Sequence, residues 1–356
     1  MNVKNENKEI TIIATIGPSC NTKDHLISLK NAGVDIFRVN MSHSSLDDLI
    51  KYSKIGKEND IVIGLDTEGA QIRTVLNLKN HISFKKGELF KISNTVKDTI
   101  SSKLALYPLN IINKLNVDSI IRLDFNGVTV KVEENNGDYL LCKCLTPGIV
   151  GNNKGVDVLN KDIQLPDFTT KDIQSLKLIN ELGISNVFIS FCKSKEAILK
   201  VKEISPNVKV TSKIESKSSI HNLYSICQVT DSLLIDRGDL TREINILDIS
   251  FAQRGIIKVA NSYNKPCFVA TNIFESLITG DLPTRAELND IVGTIEMGAS
   301  GLVLAAETAI GKKPLLSVEI VKELIHRYKL FKDGLLFSDL ERNEITDSGM
   351  KVWLNR

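Results

Sequence analysis

The segment VTSKIES, residues 210–216, carries a strand's period of two, with Val208, Val210, Ser212, Ile214 and Ser216 alternating with Lys209, Thr211, Lys213 and Glu215. Lys213 and Glu215 therefore leave one face together, an ammonium beside a carboxylate at the end of a run that is otherwise apolar or small. Other apolar runs end in similar chemistry: Arg38, Asn40, Ser42 and His43 after one, Asp66, Thr67 and Arg73 after another. Ser190 and Lys193 follow a third, Asp236, Arg237 and Asp239 a fourth, Thr271 and Asn272 a fifth, and Glu307 a sixth. Glu215 and Asp239 are hard oxygen donors, too few for a calcium cage, and suit Mg2+ or Mn2+, which keeps waters and shares a substrate's oxygens. Asn40, Ser42, Asp66 and Thr67 form an oxygen set with one formal charge, which suits a monovalent cation. Arg38, Arg73 and Lys213 can neutralise a phosphoryl group in transfer. Gly238, between Arg237 and Asp239, exposes backbone N–H groups to a carboxylate.

Each of these residues also has a bland reading. A Lys-x-Glu on one strand face is commonly a surface pair, RGD alone means little, and TRAE at 284–287 is an ordinary helix start with Thr284 as cap and Glu287 closing a capping box. Convergence decides the matter: seven of eight strand ends are polar, and they sort into cation-binding and anion-binding sets.

The elements that must position them alternate almost from end to end. Strands are expected at 10–17, 34–40, 61–67, 186–191, 208–215, 231–239, 266–272 and 301–307, with helices between them, including 22–33 stopped by Gly33 and 314–327 as the last. Eight βα units in succession describe an α/β fold, a (β/α)8 TIM barrel, whose chemistry gathers at the carboxyl ends of the strands. The rhythm breaks at 74–165, where valine- and isoleucine-rich runs are parted by NG, NNGD and GNNKG turns, an inserted all-β domain. The expected organisation is a barrel of 1–73 with 166–328, the insertion at 74–165, and a tail at 329–356.

The 356 residues are 42% hydrophobic and 25% charged, and the net charge of +2 with 5% aromatics argues against a nucleic-acid or membrane partner. No run of about 18 apolar residues occurs, and the polar start MNVKNENKE does not read as a signal peptide. Six cysteines show neither CxxC nor zinc spacing; Cys142 and Cys144 share one strand face, and free thiols in a cytoplasmic protein are expected.

TIGPS (15–19), FRVNMSH (37–43), LDTEGAQIRT (65–74), KIES (213–216), DRGDL (236–240), ATNIFESL (270–277), PTRAE (283–287) and AAETAIGKKP (305–314) together resemble the ordered motifs of the pyruvate kinase family. The resemblance spans the barrel and implies a lid where the insertion lies. It implies phosphoryl transfer between phosphoenolpyruvate and ADP, giving pyruvate and ATP. Lys213 would stand beside the transferring phosphoryl group, Glu215 and Asp239 would bind the divalent metal, and the amides of Gly238 and Asp239 would hold the substrate carboxylate. Thr271 would serve proton delivery. Arg38, Asn40, His43, Arg73 and Lys154 would face nucleotide phosphates, and Asn40, Ser42, Asp66 and Thr67 would bind potassium. Two other uses of such a pocket are a different phosphoryl acceptor or 2-oxo acid, and non-catalytic binding of phosphoenolpyruvate.

The sequence departs from the family pattern at several points. Gln71 stands where Glu tracks a potassium requirement and Lys replaces it, Glu68 stands for a lysine, and Thr241 for a glycine, which would be strained were that position at positive φ. The chain ends at Arg356, where the family continues into a C-terminal regulatory domain. The reading is therefore a form without that domain, associating as a homodimer through the barrel.

Overall fold

The structure, a computed structural model, describes residues 9–76, 80–94, 102–108, 110–124, 127–161 and 163–333. The expected tail falls almost wholly outside the described residues. Contacts divide the chain into two compact units, with boundaries at Gly69/Ala70 and Pro166/Asp167.

The first unit is a closed barrel of eight parallel strands: β1 (Thr11–Thr15), β2 (Ile36–Asn40), β3 (Ile63–Asp66), β4 (Asn186–Ile189), β5 (Lys209–Ile214), β6 (Ser232–Asp236), β7 (Cys267–Ala270) and β8 (Gly301–Leu304). They pair in sequence order, and β8 closes on β1 through Thr11↔Gly301 to Ala14↔Leu304. Strands covered on both faces read as continuous apolar runs, which is why they stand out in the sequence. Inside the barrel Ile13, Phe188, Leu234, Phe268, Ala270 and Val303 form a packed plug, while a larger apolar layer lies between strands and helices. That plug leaves side chains past the carboxyl ends of the strands as the place for chemistry.

Helix starts carry side-chain caps, the expected Thr284 box among them. Thr22 caps Lys23–Ala32, and Ser45 with Asp48, Thr169 with Asp172, and Thr284 with Glu287 make reciprocal capping boxes. Gly33, at φ +117°, ends the first helix in a left-handed conformation that a side chain would strain. The last helix, Pro314–Lys332, runs five residues beyond the expected stop at 327, so the tail does not begin at 329.

Three short helices were not legible: Arg237–Glu243, Glu275–Thr279 and Ala306–Ala309, just after β6, β7 and β8. Seven residues or fewer carry too little period to register. RGD is thus the first turn of a helix capped by Asp236 rather than the end of a strand. Thr241 sits within that helix with its hydroxyl donating to the Gly238 carbonyl at 2.6 Å, so the position needs no positive φ and threonine is accommodated.

The second unit is a closed barrel of seven strands among the described residues, with a separate two-stranded sheet of His81–Phe84 and Gly148–Gly151. Ile120–Leu123, Val128–Asn135 and Tyr139–Thr146 form the expected antiparallel meander. Ile72–Val75 pairs within this barrel, which carries Arg73 into the second unit and places the boundary before residue 70 rather than at 74.

All six cysteines are buried and unbridged. Burial pushes the Cys20 and Cys227 thiols up to about 11 and those of Cys142 and Cys192 up to about 12, which suppresses the reactive thiolate. The native protein is expected to leave Ellman's reagent essentially unreacted at pH 8 and to release six equivalents on unfolding. Fast reaction of even one thiol in the folded protein would contradict this burial.

Candidate active site

The carboxyl ends of β2, β3 and β5 carry a buried chain of alternating charge. Arg38 on β2 donates through Nε and Nη2 to Thr15 Oγ1 at 3.2 and 2.9 Å, and its Nη1 lies 3.2 Å from Asp66 Oδ2. Asp66, the last residue of β3, places Oδ1 3.3 Å from Lys213 Nζ. Lys213 on β5 in turn reaches Glu215 Oε1 at 2.8 Å and donates to Ser190 Oγ at 2.9 Å. The strand period that put Lys213 and Glu215 on one face thus brings them into direct contact. All four charged side chains are buried. Desolvation works against the charged form of Lys213, but the carboxylates of Asp66 and Glu215 outweigh it and hold the ammonium above its ordinary range.

Glu215 also faces a second group. One carboxylate oxygen each from Glu215, Asp236 and Asp239 lie within 4.8 Å of one another, the one such acidic cluster among the described residues. Burial raises the Glu215 carboxyl, opposed by Lys213 and reinforced by Asp239 and Asp236. Burial, with Asp236, likewise raises Asp239, against Lys213 and Arg242. An all-oxygen donor set of this kind fits Mg2+ or Mn2+ better than a softer ion.

The turn after β7 is strained and heavily braced. Thr271 and Asn272 lie at φ +67° and +52°, and the left-handed region is a genuine outlier for a β-branched residue. Arg237 donates to the Thr271 carbonyl at 3.1 and 2.7 Å and to the Asn272 carbonyl at 3.0 Å. Glu307 Oε1 accepts the amides of Ile273 and Phe274 at 3.0 and 2.9 Å, and its Oε2 accepts that of Ala305. Thr271 Oγ1 accepts the Gly238 amide at 2.8 Å, and Asp236 Oδ1 lies 3.4 Å from the Asp239 amide. The two amides expected to meet a substrate carboxylate are therefore satisfied internally here.

Asp172 was not singled out from the sequence, yet it fixes the loop that carries Thr67. Wholly buried, it accepts the amides of Glu68 at 2.7 Å, Gly69 at 3.0 Å and Thr169 at 2.9 Å. The Glu68 carboxylate turns to the Thr169 hydroxyl, which donates to it at 3.3 Å. Asp172→Ala strands these amides without acceptors and is expected to cost about 3 kcal/mol, with Asp172→Asn recovering part of it. Denaturant melts check this; an unchanged midpoint in the alanine variant would contradict it.

Of the remaining expected site residues, Asn40 pairs with Asp66 in register, and its Oδ1 accepts the Ser42 amide at 2.9 Å. Thr67 Oγ1 accepts the Ser190 amide, also at 2.9 Å, and His43 is exposed on the turn after β2. Arg73 and Lys154 belong to the second unit, where Arg73 Nη1 donates to the Asn153 carbonyl at 3.1 Å and the Thr74 amide donates to the carbonyl of Lys154. Gln71 also lies in that unit. Thr15, Asp236 as a cluster member, Arg237 and Glu307 as braces were missed. The one signal for Asp236 was its place three residues before Asp239, the spacing of an N-cap.

The first unit is thus a parallel (β/α)8 barrel with buried cations and clustered carboxylates at its carboxyl face. Residues 7–318 match the family model described as pyruvate kinase, barrel domain. The chain belongs to the pyruvate kinase family. It is 29% identical over 335 residues to the pyruvate kinase of Lactobacillus delbrueckii subsp. bulgaricus, covering 89% of this chain and 56% of that protein. It is 31% identical over 329 residues to plastidial pyruvate kinase 3 of Arabidopsis thaliana, covering 88% and 57% respectively. With the pyruvate kinase of Thermotoga maritima it shares 30% over 325 residues, 88% of this chain and 69% of the relative. The chain therefore spans little more than half the length of the first two relatives. No described helix is long and apolar enough to cross a membrane.

Proposed function

We propose that this chain transfers a phosphoryl group from phosphoenolpyruvate to ADP, giving pyruvate and ATP. The observation that carries the reading is the buried Arg38–Asp66–Lys213–Glu215 chain beside the carboxylates of Asp236 and Asp239. In the proposed reaction the bond from phosphorus to the enol oxygen breaks and one to a terminal ADP oxygen forms. The enolate left behind takes a proton at its methylene carbon.

The ammonium of Lys213, kept charged by Asp66 and Glu215, would neutralise the phosphoryl oxygens in transfer. Arg38, held by Thr15 and Asp66, would grip a phosphate, and the Thr271 hydroxyl would pass the proton through water. Opening the amides of Gly238 and Asp239 to a substrate carboxylate would require Thr271 and Asp236 to release them. A divalent cation held by Glu215 and Asp239 would supply positive charge to phosphoryl and carboxylate oxygens. Asn40, Ser42, Asp66 and Thr67 would hold potassium, although Asp66 already faces two cations, so dependence on K+ is itself a test. His43 would meet nucleotide phosphates. Association as a homodimer through the barrel and a cytoplasmic location complete the reading.

Phosphorus NMR tests the donor and the acceptor together. Loss of the phosphoenolpyruvate resonance with growth of nucleoside triphosphate signals supports the proposal. Loss only with another acceptor would redirect it, and thermal stabilisation by phosphoenolpyruvate without turnover would replace it by a binding role.

A further inference from the structure

We infer that Asp236 is a third carboxylate ligand of the divalent-cation site, so that this chain binds the ion through Glu215, Asp236 and Asp239. The inference rests on the divalent site proposed above and gives Asp236 a metal-binding role that the proposal assigns only to Glu215 and Asp239.

Two observations lead to it. The three side chains each bring one oxygen within 4.8 Å of the others. Independently, Glu215 is wholly buried with one oxygen left over: Oε2 accepts the Phe191 amide at 2.7 Å, whereas Oε1 accepts no hydrogen bond. Lys213 Nζ lies 2.8 Å from Oε1 but outside hydrogen-bond geometry, and Asp66 shares the same ammonium. A buried carboxylate oxygen that has an ion-pair partner but accepts no hydrogen bond keeps lone pairs for a cation in the cluster.

Capping does not explain the charge of Asp236. The carboxylate is only 6% exposed, and the amide it caps, that of Asp239, lies 3.4 Å away, at the long limit of a hydrogen bond. Asparagine or serine would cap a helix as well without adding a buried negative charge. Four carboxylates here, those of Asp66, Glu215, Asp236 and Asp239, face three cationic side chains, Arg38, Lys213 and Arg242. A dication reverses that imbalance and leaves the site positive before a polyanion arrives. With three carboxylates, the protein would hold the ion in the absence of substrate.

The test is Mn2+ binding to the full chain without phosphoenolpyruvate or nucleotide, read from the electron paramagnetic resonance signal of free Mn2+. Asp236→Asn keeps the cap and removes the charge, Asp236→Ala removes both, and Glu215→Gln is the reference for the site itself; circular dichroism checks each fold. Both Asp236 variants are expected to weaken Mn2+ binding by about tenfold or more, the asparagine variant with an undiminished melting temperature when metal-free. Wild-type affinity in both Asp236 variants, with binding lost in Glu215→Gln, would overturn the inference and leave the two-ligand site standing. Absence of Mn2+ binding by the wild type, or wild-type affinity in Glu215→Gln, would overturn both together.

Discussion

Lys213→Met is expected to lower the rate of phosphoryl transfer by about 10³-fold or more, because it removes the one ammonium set among Asp66, Glu215 and Ser190. Methionine nearly matches the length of the stem, so the packing of β5 survives while the charge does not. The loss should fall on kcat rather than on the binding of phosphoenolpyruvate, since the ammonium is assigned to charge that develops during transfer. The substitution also leaves Glu215 and Asp66 with less compensation, so some loss of stability is expected alongside. Steady-state kinetics on folded variant protein checks the split. Retention of a tenth or more of the wild-type kcat would remove Lys213 from the chemistry.

Asp66→Asn should have the largest effect on stability. Asp66 is fully buried between two cations, with Arg38 Nη1 at 3.2 Å and Lys213 Nζ at 3.3 Å. An amide of the same shape keeps the volume but removes the only negative charge that separates them. Breaking a buried pair in this way costs about 3–5 kcal/mol. At about 2–4 °C per kcal/mol for a domain of this size, the melting temperature should fall by about 6–20 °C. A fall of less than 2 °C, measured by calorimetry, would mean that Arg38 and Lys213 are compensated elsewhere.

The sequence made the barrel readable because its strands are buried on both faces and because a helix start such as TRAE, capped by Thr284, is marked locally. The Lys213–Glu215 contact was readable for a local reason, the two-residue period of one strand. Asp66 to Arg38 and Lys213 was not, because those contacts depend on which strands become neighbours and in what register. Asp172 was hidden for the same reason, serving a loop that precedes it by about a hundred residues in the chain. Thr271 and Asn272 were named as polar residues at a strand end, but their left-handed backbone follows from bracing by Arg237 and Glu307, which no local pattern encodes. Asp236 looked like one more polar strand end until the helix after β6 turned Asp239 back toward it.

The most direct test of the account is the rate of pyruvate formation from phosphoenolpyruvate and ADP by the chain as it stands, with Mg2+ or Mn2+, in the presence and absence of K+. Turnover that requires the divalent ion is expected, with the K+ comparison deciding whether Asn40, Ser42, Asp66 and Thr67 serve a monovalent cation. Folded protein that binds Mn2+ and phosphoenolpyruvate yet forms no pyruvate under any of these conditions would contradict it.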